Sequence, residues 1–158
     1  MKKRLLVLVS ILVCCFVMSA CNSDAICGNW QTYSYSYLYN GITYEYTIEQ
    51  AQNLTPNTDA LENPDNYTDK EVVESAIGLI CAQTNGLIYN FRNENVLNIM
   101  KDNEINTTLI WKREDDKIIV KSDYEFSENI IYSFEDNNTI STTQTMGNNE
   151  LKIILKRK

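Results

Sequence analysis

Tyr33, Tyr35, Tyr37 and Tyr39 alternate with Thr32, Ser34, Ser36 and Leu38, the two-residue period of a half-buried strand. Asn40-Gly41 follows at once. An Asn-Gly pair is the strongest short-range hairpin signal, because both central positions of a type I′ turn need φ > 0. Folding the ribbon about these two residues sets Tyr39 against Ile42, Tyr37 against Tyr44, Tyr35 against Tyr46 and Tyr33 against Ile48. Directly opposed residues share a face. One face therefore carries six tyrosines and two isoleucines, and the other mostly Ser, Thr and Glu. A ribbon this one-sided must find a cover for its aromatic face in the rest of the chain.

After the ribbon the composition changes. Residues 50–66 are polar, hold both prolines (Pro56 and Pro64) and sustain no period, so they read as an excursion with one helical turn over Asp59 to Glu62. Thr68-Asp69-Lys70-Glu71 then fits a capping box, in which the Thr68 hydroxyl and the Glu71 carboxylate satisfy each other's backbone amides. Val72, Val73, Ala76, Ile77, Ile80 and Cys81 recur at helical spacing. That predicts a helix over Thr68–Gln83 with one buried face, stopped at Asn85-Gly86 and packed on the sheet as a lid or plug. From Leu87 on, the chain reads as short alternating runs joined by turns rich in Asn, Asp and Glu. Leu87, Tyr89 and Phe91 face Leu97 and Ile99, and Ile105, Thr107, Leu109 and Trp111 face Ile118 and Val120. Tyr124 and Phe126 precede Ile130, Tyr132 and Phe134; Ile140, Thr142 and Gln144 follow, and Leu151, Ile153 and Leu155 come last. The pattern predicts a mainly β chain, an antiparallel meander of about eight or nine strands with one helical insertion. A sheet of that size closes into a barrel to remove its edges.

The first 21 residues have a separate character. Lys2, Lys3 and Arg4 precede an apolar run from Leu5 to Met18, too short to favour a membrane-spanning helix. Met18-Ser19-Ala20-Cys21 closes it. This order resembles a bacterial lipoprotein signal with its lipobox, Met18 standing where Leu is usual. The resemblance implies that residues 1–20 are a signal peptide that is removed and that Cys21 becomes the lipidated N-terminus. It also implies a lipid-anchored, extracytoplasmic protein of the bacterial cell envelope, at the outer membrane. Residues 21–27 are then a tether reaching at most about 20 Å, and residues 28–158 one domain with a helical insert at about 50–85. Within that domain Gly28-Asn29-Trp30 resembles the Gly-x-Trp signature of lipocalins and of small bacterial lipocalin-like lipoproteins. The stretch from Trp111 to Val120 and the terminal run Leu151–Lys156 are similar to that group as well. The likeness implies an up-and-down lipocalin-like (calycin-type) β-barrel that binds a small ligand, with its tryptophan at the closed end. The chain departs from the group in its long insert. It also lacks an Arg-x-Tyr pair of the kind fatty-acid-binding relatives use for a carboxylate.

Charge and composition exclude several functions. Three of the 14 basic residues belong to the leader, so residues 21–158 carry 11 against 21 acidic ones, a net charge of −10. Nucleic acid is therefore not an expected partner, since phosphate binding needs a basic footprint. The chain has no histidine, which removes Ser-His-Asp and Cys-His sites and imidazole metal sites. Its five glycines form no phosphate-cradling loop. Glu114-Asp115-Asp116 and Glu135-Asp136 are clustered carboxylates at expected hairpin turns, where solvated charge is the plain reading; calcium would need more converging oxygens. The expectation is a binding protein rather than an enzyme, with no metal and no cofactor. Cys27 and Cys81 are the pair left once the leader and Cys21 are set aside. In an exported chain they either form a disulfide, worth about 4 kcal/mol for a loop of that length, or are two small buried hydrophobes.

The candidate binding surface is the face of Tyr33, Tyr35, Tyr37, Tyr39, Tyr44 and Tyr46. The rings bury well, but each phenol needs a partner once desolvated. The face is either core beneath the helix or the lining of a cavity suited to a small apolar or amphipathic ligand. Left uncovered, it is instead a docking or inhibitory patch for a protein partner. Thr107, Thr142 and Gln144 at inward positions fit a cavity, or else mark Thr139–Met146 as an exposed edge. The pattern holds one conflict. Strict alternation puts Trp30 on the Thr32/Ser34 face, opposite the tyrosines, while the lipocalin likeness requires it inside the barrel. Trp30 and Tyr33 both point inward only if the strand bulges or bends between them.

Overall fold

The computed structural model describes residues 25–121 and 129–158. The leader, Cys21, and the expected strand residues Tyr124 and Phe126 lie outside the described residues. Strands β1 (Gly28–Tyr39) and β2 (Ile42–Thr47) form the hairpin. Asn40 and Gly41 both hold positive φ, as the tight turn requires, and Tyr39, Tyr37 and Tyr35 face Ile42, Tyr44 and Tyr46 as expected. After the insert come β3 (Ile88–Arg92), β4 (Val96–Lys101), β5 (Glu104–Glu114), β6 (Lys117–Lys121), β7 (Ile130–Asp136), β8 (Thr139–Met146) and β9 (Asn149–Arg157). Strands β3 to β9 pair antiparallel in sequence order, β1 pairs with β3, and β9 returns to β1. Eight strands so close an up-and-down, lipocalin-like barrel, and β2 is a ninth strand that pairs only with β1. Strand β8, with partners on both sides, is a wall rather than an edge.

A bulge in β1 resolves the phase conflict. Against β9, Thr32 pairs with Leu155 and Ser34 with Ile154, which leaves Tyr33 as the extra residue. Trp30 and Thr32 before it, and Tyr35 and Tyr37 after it, are all buried. Tyr33 is not. It is 44% exposed, and the Lys156 ammonium sits 3.5 Å from its ring centre on the outer surface. The expectation that Tyr33 shares a face with Tyr35 and Tyr37 is thus corrected, because one inserted residue flips the side on which a strand position points. The pairing of Tyr33 with Ile48 fails too. The β1–β2 ladder stops at Ser34–Thr47, and Ile48 opens helix α1 (Ile48–Gln52), capped by a Thr47–Gln50 box.

The insert therefore begins two residues earlier than expected. It continues with α2 (Thr58–Glu62), a 3₁₀ turn at Pro64–Asn66 and the long helix α3 (Asp69–Thr84). The Thr68–Glu71 capping box starts α3 as the sequence predicts. Its buried face holds Val72, Val73, Ile77 and Cys81 with the small Ser75 and Gly78. A Cβ at Gly78 would lie 3.3 Å from Leu54 and Pro56, so a glycine there lets the insert fold tightly onto its own helix.

Two apolar clusters divide the interior. One fills the closed end: Trp30, Phe91, Trp111, Ile118, Ile140 and Leu155 are among its members, with Phe91 set edge-on to Trp111 and Tyr132. The other joins Tyr35, Tyr37 and Leu151 of the barrel to Ala51, Val73, Ile77 and Cys81 of the insert. The closed end is fastened by the Trp30 indole, which donates to the Ile26 carbonyl at 2.7 Å. The Arg157 guanidinium lies 4.6 Å over the Trp30 ring and donates to the carbonyls of Cys27, at 2.7 Å, and Ala25. Gly28 has φ +133°, and a Cβ there would come 2.9 Å from Arg157 Nη1. The glycine of Gly-Asn-Trp is explained by that φ, which strains any side chain, and the guanidinium packs against the space it leaves.

Candidate functional site

The barrel is not solid. Above the closed-end core lies a cavity of about 570 Å³, within the range of small-molecule sites. Its wall is built from inward positions of β4, β5 and β9: Leu97, Ile99, Leu109, Leu151 and Ile153. Thr142 and Gln144 of β8 line it as the sequence predicts. Thr107 does not. The ladder between β4 and β5 slips at Ile99/Met100, and Thr107 is exposed. The cavity opens at the end where β4 finishes, β7 begins with Ile130, and β8 ends, opposite Trp30 and Arg157. Among the described residues no Asp, Glu, Lys or Arg lines it.

Tyr89 and Tyr132 form the boundary between core and cavity, since both belong to the closed-end cluster and both line the void. Burial raises both phenols above their ordinary value of 10, so both are neutral O–H groups at neutral pH. The Thr32 hydroxyl is buried beside the Tyr89 phenol, close enough to offset part of that rise, and lacks a partner of good hydrogen-bond geometry among the described residues. Sequence reading placed Tyr89 and Tyr132 inward as packing residues without joining them. Their separation along the chain hides a meeting that only barrel closure creates.

The tyrosine face lies elsewhere. Tyr35 and Tyr37 are core of the second cluster, and Tyr39, Tyr44 and Tyr46 pack half-buried against it. Their phenols are largely supplied from within. Thr84 donates its hydroxyl proton to the Ile80 carbonyl at 2.9 Å, so the 2.7 Å contact between Tyr35 and Thr84 has the phenol as donor. Tyr46 makes a long 3.4 Å contact to Glu74, and burial, with that carboxylate second, pushes its pKa up to about 12. Tyr37 and Tyr39 stack at 6.1 Å. Of the sequence's readings for this face, core beneath the helix is the one observed for five of the six rings. Of the two readings left open for Cys27 and Cys81, the unbridged one is observed. Cys81 lies in the insert cluster and Cys27 packs against the closed-end cluster, and the two are not bridged. Glu114, Asp115 and Asp116 are exposed at the β5–β6 turn, and among the described residues no group of three or more acidic or cysteine side chains converges as a metal site would require.

Fold and cavity together define a class: an antiparallel, lipocalin-like β-barrel with an interior void and a helical insert packed against one side. Comparison with protein-family models, with curated proteins and with solved structures finds no match.

Proposed function

We propose that this chain is a membrane-anchored, extracytoplasmic binding protein, not an enzyme, whose barrel holds a small apolar or amphipathic molecule. The cavity carries the reading: a void of about 570 Å³ with an apolar wall and a few hydroxyl and amide groups is the usual make-up of a ligand site. The basic residues, apolar run and Met-Ser-Ala-Cys of residues 1–21 support anchoring through lipid on Cys21. A protein-docking role for the tyrosine face has less support, because five of its rings are packed into the insert cluster.

The barrel is tested on residues 22–158, which hold every strand pairing and both apolar clusters. Protein purified natively from its source and sprayed under non-denaturing conditions should carry a retained small molecule. Adding that molecule back at a hundred times its Kd should stabilise the fold by about 2.7 kcal/mol, a Tm rise of several degrees. A ligand-free mass, together with a Tm that no amphiphile raises, would overturn the binding role. Anchoring is tested apart from it: the full chain should partition with membranes and Cys21→Ser should not, and equal partitioning would remove that half of the proposal.

A further inference from the structure

The cavity's chemistry narrows what it takes, granted the binding role proposed above. Its floor carries two phenols, Tyr132, 4% exposed, and Tyr89, 9% exposed, with the buried Thr32 hydroxyl beside Tyr89. Among the described residues the Tyr132 phenol has no hydrogen-bond partner, the Tyr89 phenol has only the Thr32 hydroxyl beside it, and the Thr32 oxygen is buried without a bond of good geometry. Buried polar groups are bonded in the great majority of cases, and leaving one bare is costly. An unpartnered phenol on the cavity floor, next to a second that only Thr32 approaches, therefore calls for a polar group delivered from the void. The wall above them, Ile99, Leu109, Leu151 and Ile153, is aliphatic. A molecule that suits both regions has its polar end at the bottom and its hydrocarbon towards the mouth.

The sign of that polar end follows from what lines the void. Among the described residues no cationic side chain reaches the cavity, so a carboxylate or phosphate would be stripped of water without a counter-charge. Phenols that keep their protons are donors to neutral oxygen and lack the charge to replace a cation. We propose that the cavity binds a neutral amphiphile head-first, a long-chain alcohol, amide or ester, whose oxygen accepts hydrogen bonds from Tyr89 and Tyr132 on the cavity floor.

Three probes of equal length, 1-decanol, decanoate and decane, are titrated into residues 22–158 at pH 8, and the concentration giving a fixed Tm rise is read for each. Decanol should act at roughly a tenth of the concentration of either other probe, about the worth of one net hydrogen bond or somewhat more. Tyr89→Phe and Tyr132→Phe should each erode that preference, and the pair together should erase it. Decane binding should stay within about twofold, and Tyr132→Phe should leave ligand-free stability unchanged or raised, since it removes a hydroxyl without a protein partner. The single variants keep the test standing if the double one does not fold. Equal response to decanol and decane, a preference for decanoate, or a preference that survives both substitutions because water serves the phenols would overturn the inference while leaving a binding barrel intact. No response to any probe would overturn the binding role and the inference with it.

Discussion

Arg157 does three jobs at one place. Its fork holds two backbone carbonyls, its plane covers Trp30, and its tip packs against Gly28. Charge-assisted hydrogen bonds to carbonyls are worth about 1.5–3 kcal/mol net, and a cation over an indole face adds roughly 0.5–2 kcal/mol. Arg157→Ala is therefore expected to cost about 2–3 kcal/mol in urea unfolding of residues 22–158. Arg157→Lys should recover less than half, because an ammonium keeps the charge but not the planar fork. A loss below about 0.5 kcal/mol for Ala would show that the contacts are surface ornament. The pairing of Gly28 with Arg157 could not be read from a sequence in which they stand at opposite ends of the domain. Only the tryptophan between them marked the spot.

At the scale of elements, β1 is the decisive strand, because its bulge lets Trp30 serve one cluster and Tyr35 the other. Removing the bulged residue should therefore be tolerated. Deleting Tyr33 joins the Thr32–Leu155 and Ser34–Ile154 pairs into an unbroken ladder and keeps Trp30, Thr32, Tyr35 and Tyr37 pointing inward. The expected loss is about 1–2 kcal/mol, for the cation contact and the local twist. Deleting Ser36 instead turns Tyr37 outward or drags the hairpin out of register, at about 3 kcal/mol or more, the scale of a lost core aromatic. Urea midpoints in the reverse order would mean that the bulge is not what sets the phase. The need for this irregularity was legible, since Trp30 and the tyrosines sat an odd number of positions apart. Its location was not, because Thr32-Tyr33-Ser34 contains no glycine or other bulge-favouring residue. Helix α1 was missed for a different reason. The Thr47–Gln50 box obeys the same rule as the Thr68–Glu71 box, but Ile48 also continued the strand's alternation, and the two local signals disagreed.

For the molecule as a whole, alkaline pH is the natural probe, because buried phenols span both clusters and the cavity floor. Tyr35, Tyr37, Tyr46, Tyr89 and Tyr132 are all raised above the ordinary value of 10, burial being the largest cause in each. A raised folded-state value favours the protonated form, so the stability these groups lend is complete below pH 10 and is lost as pH climbs through the folded values, about 12 for Tyr46. The urea midpoint should stay level from about pH 7 to 9 and fall steeply above that window. Phenolate absorbance from these rings should rise together with the loss of near-ultraviolet circular dichroism; separate ionisations with that signal intact would contradict the burial described. The architecture was readable from alternation for the described strands from β3 on, apart from the phase of Thr107, which the slip between β4 and β5 changed. The cavity was not, because its floor is assembled from β3 and β7 and its wall from β4, β5, β8 and β9, which enclose a void only once β9 has met β1. The clamp at the closed end bears on how such a vessel is used. Arg157 holds the chain at Ala25 and Cys27, and Cys21 is four residues further on, at most about 14 Å away. A barrel tied down by Cys21 would stand on its sealed base with the opening turned from the bilayer. Cargo would then arrive and depart on the aqueous side, which suits a receptacle for molecules crossing the compartment better than a scoop for the lipids beneath it.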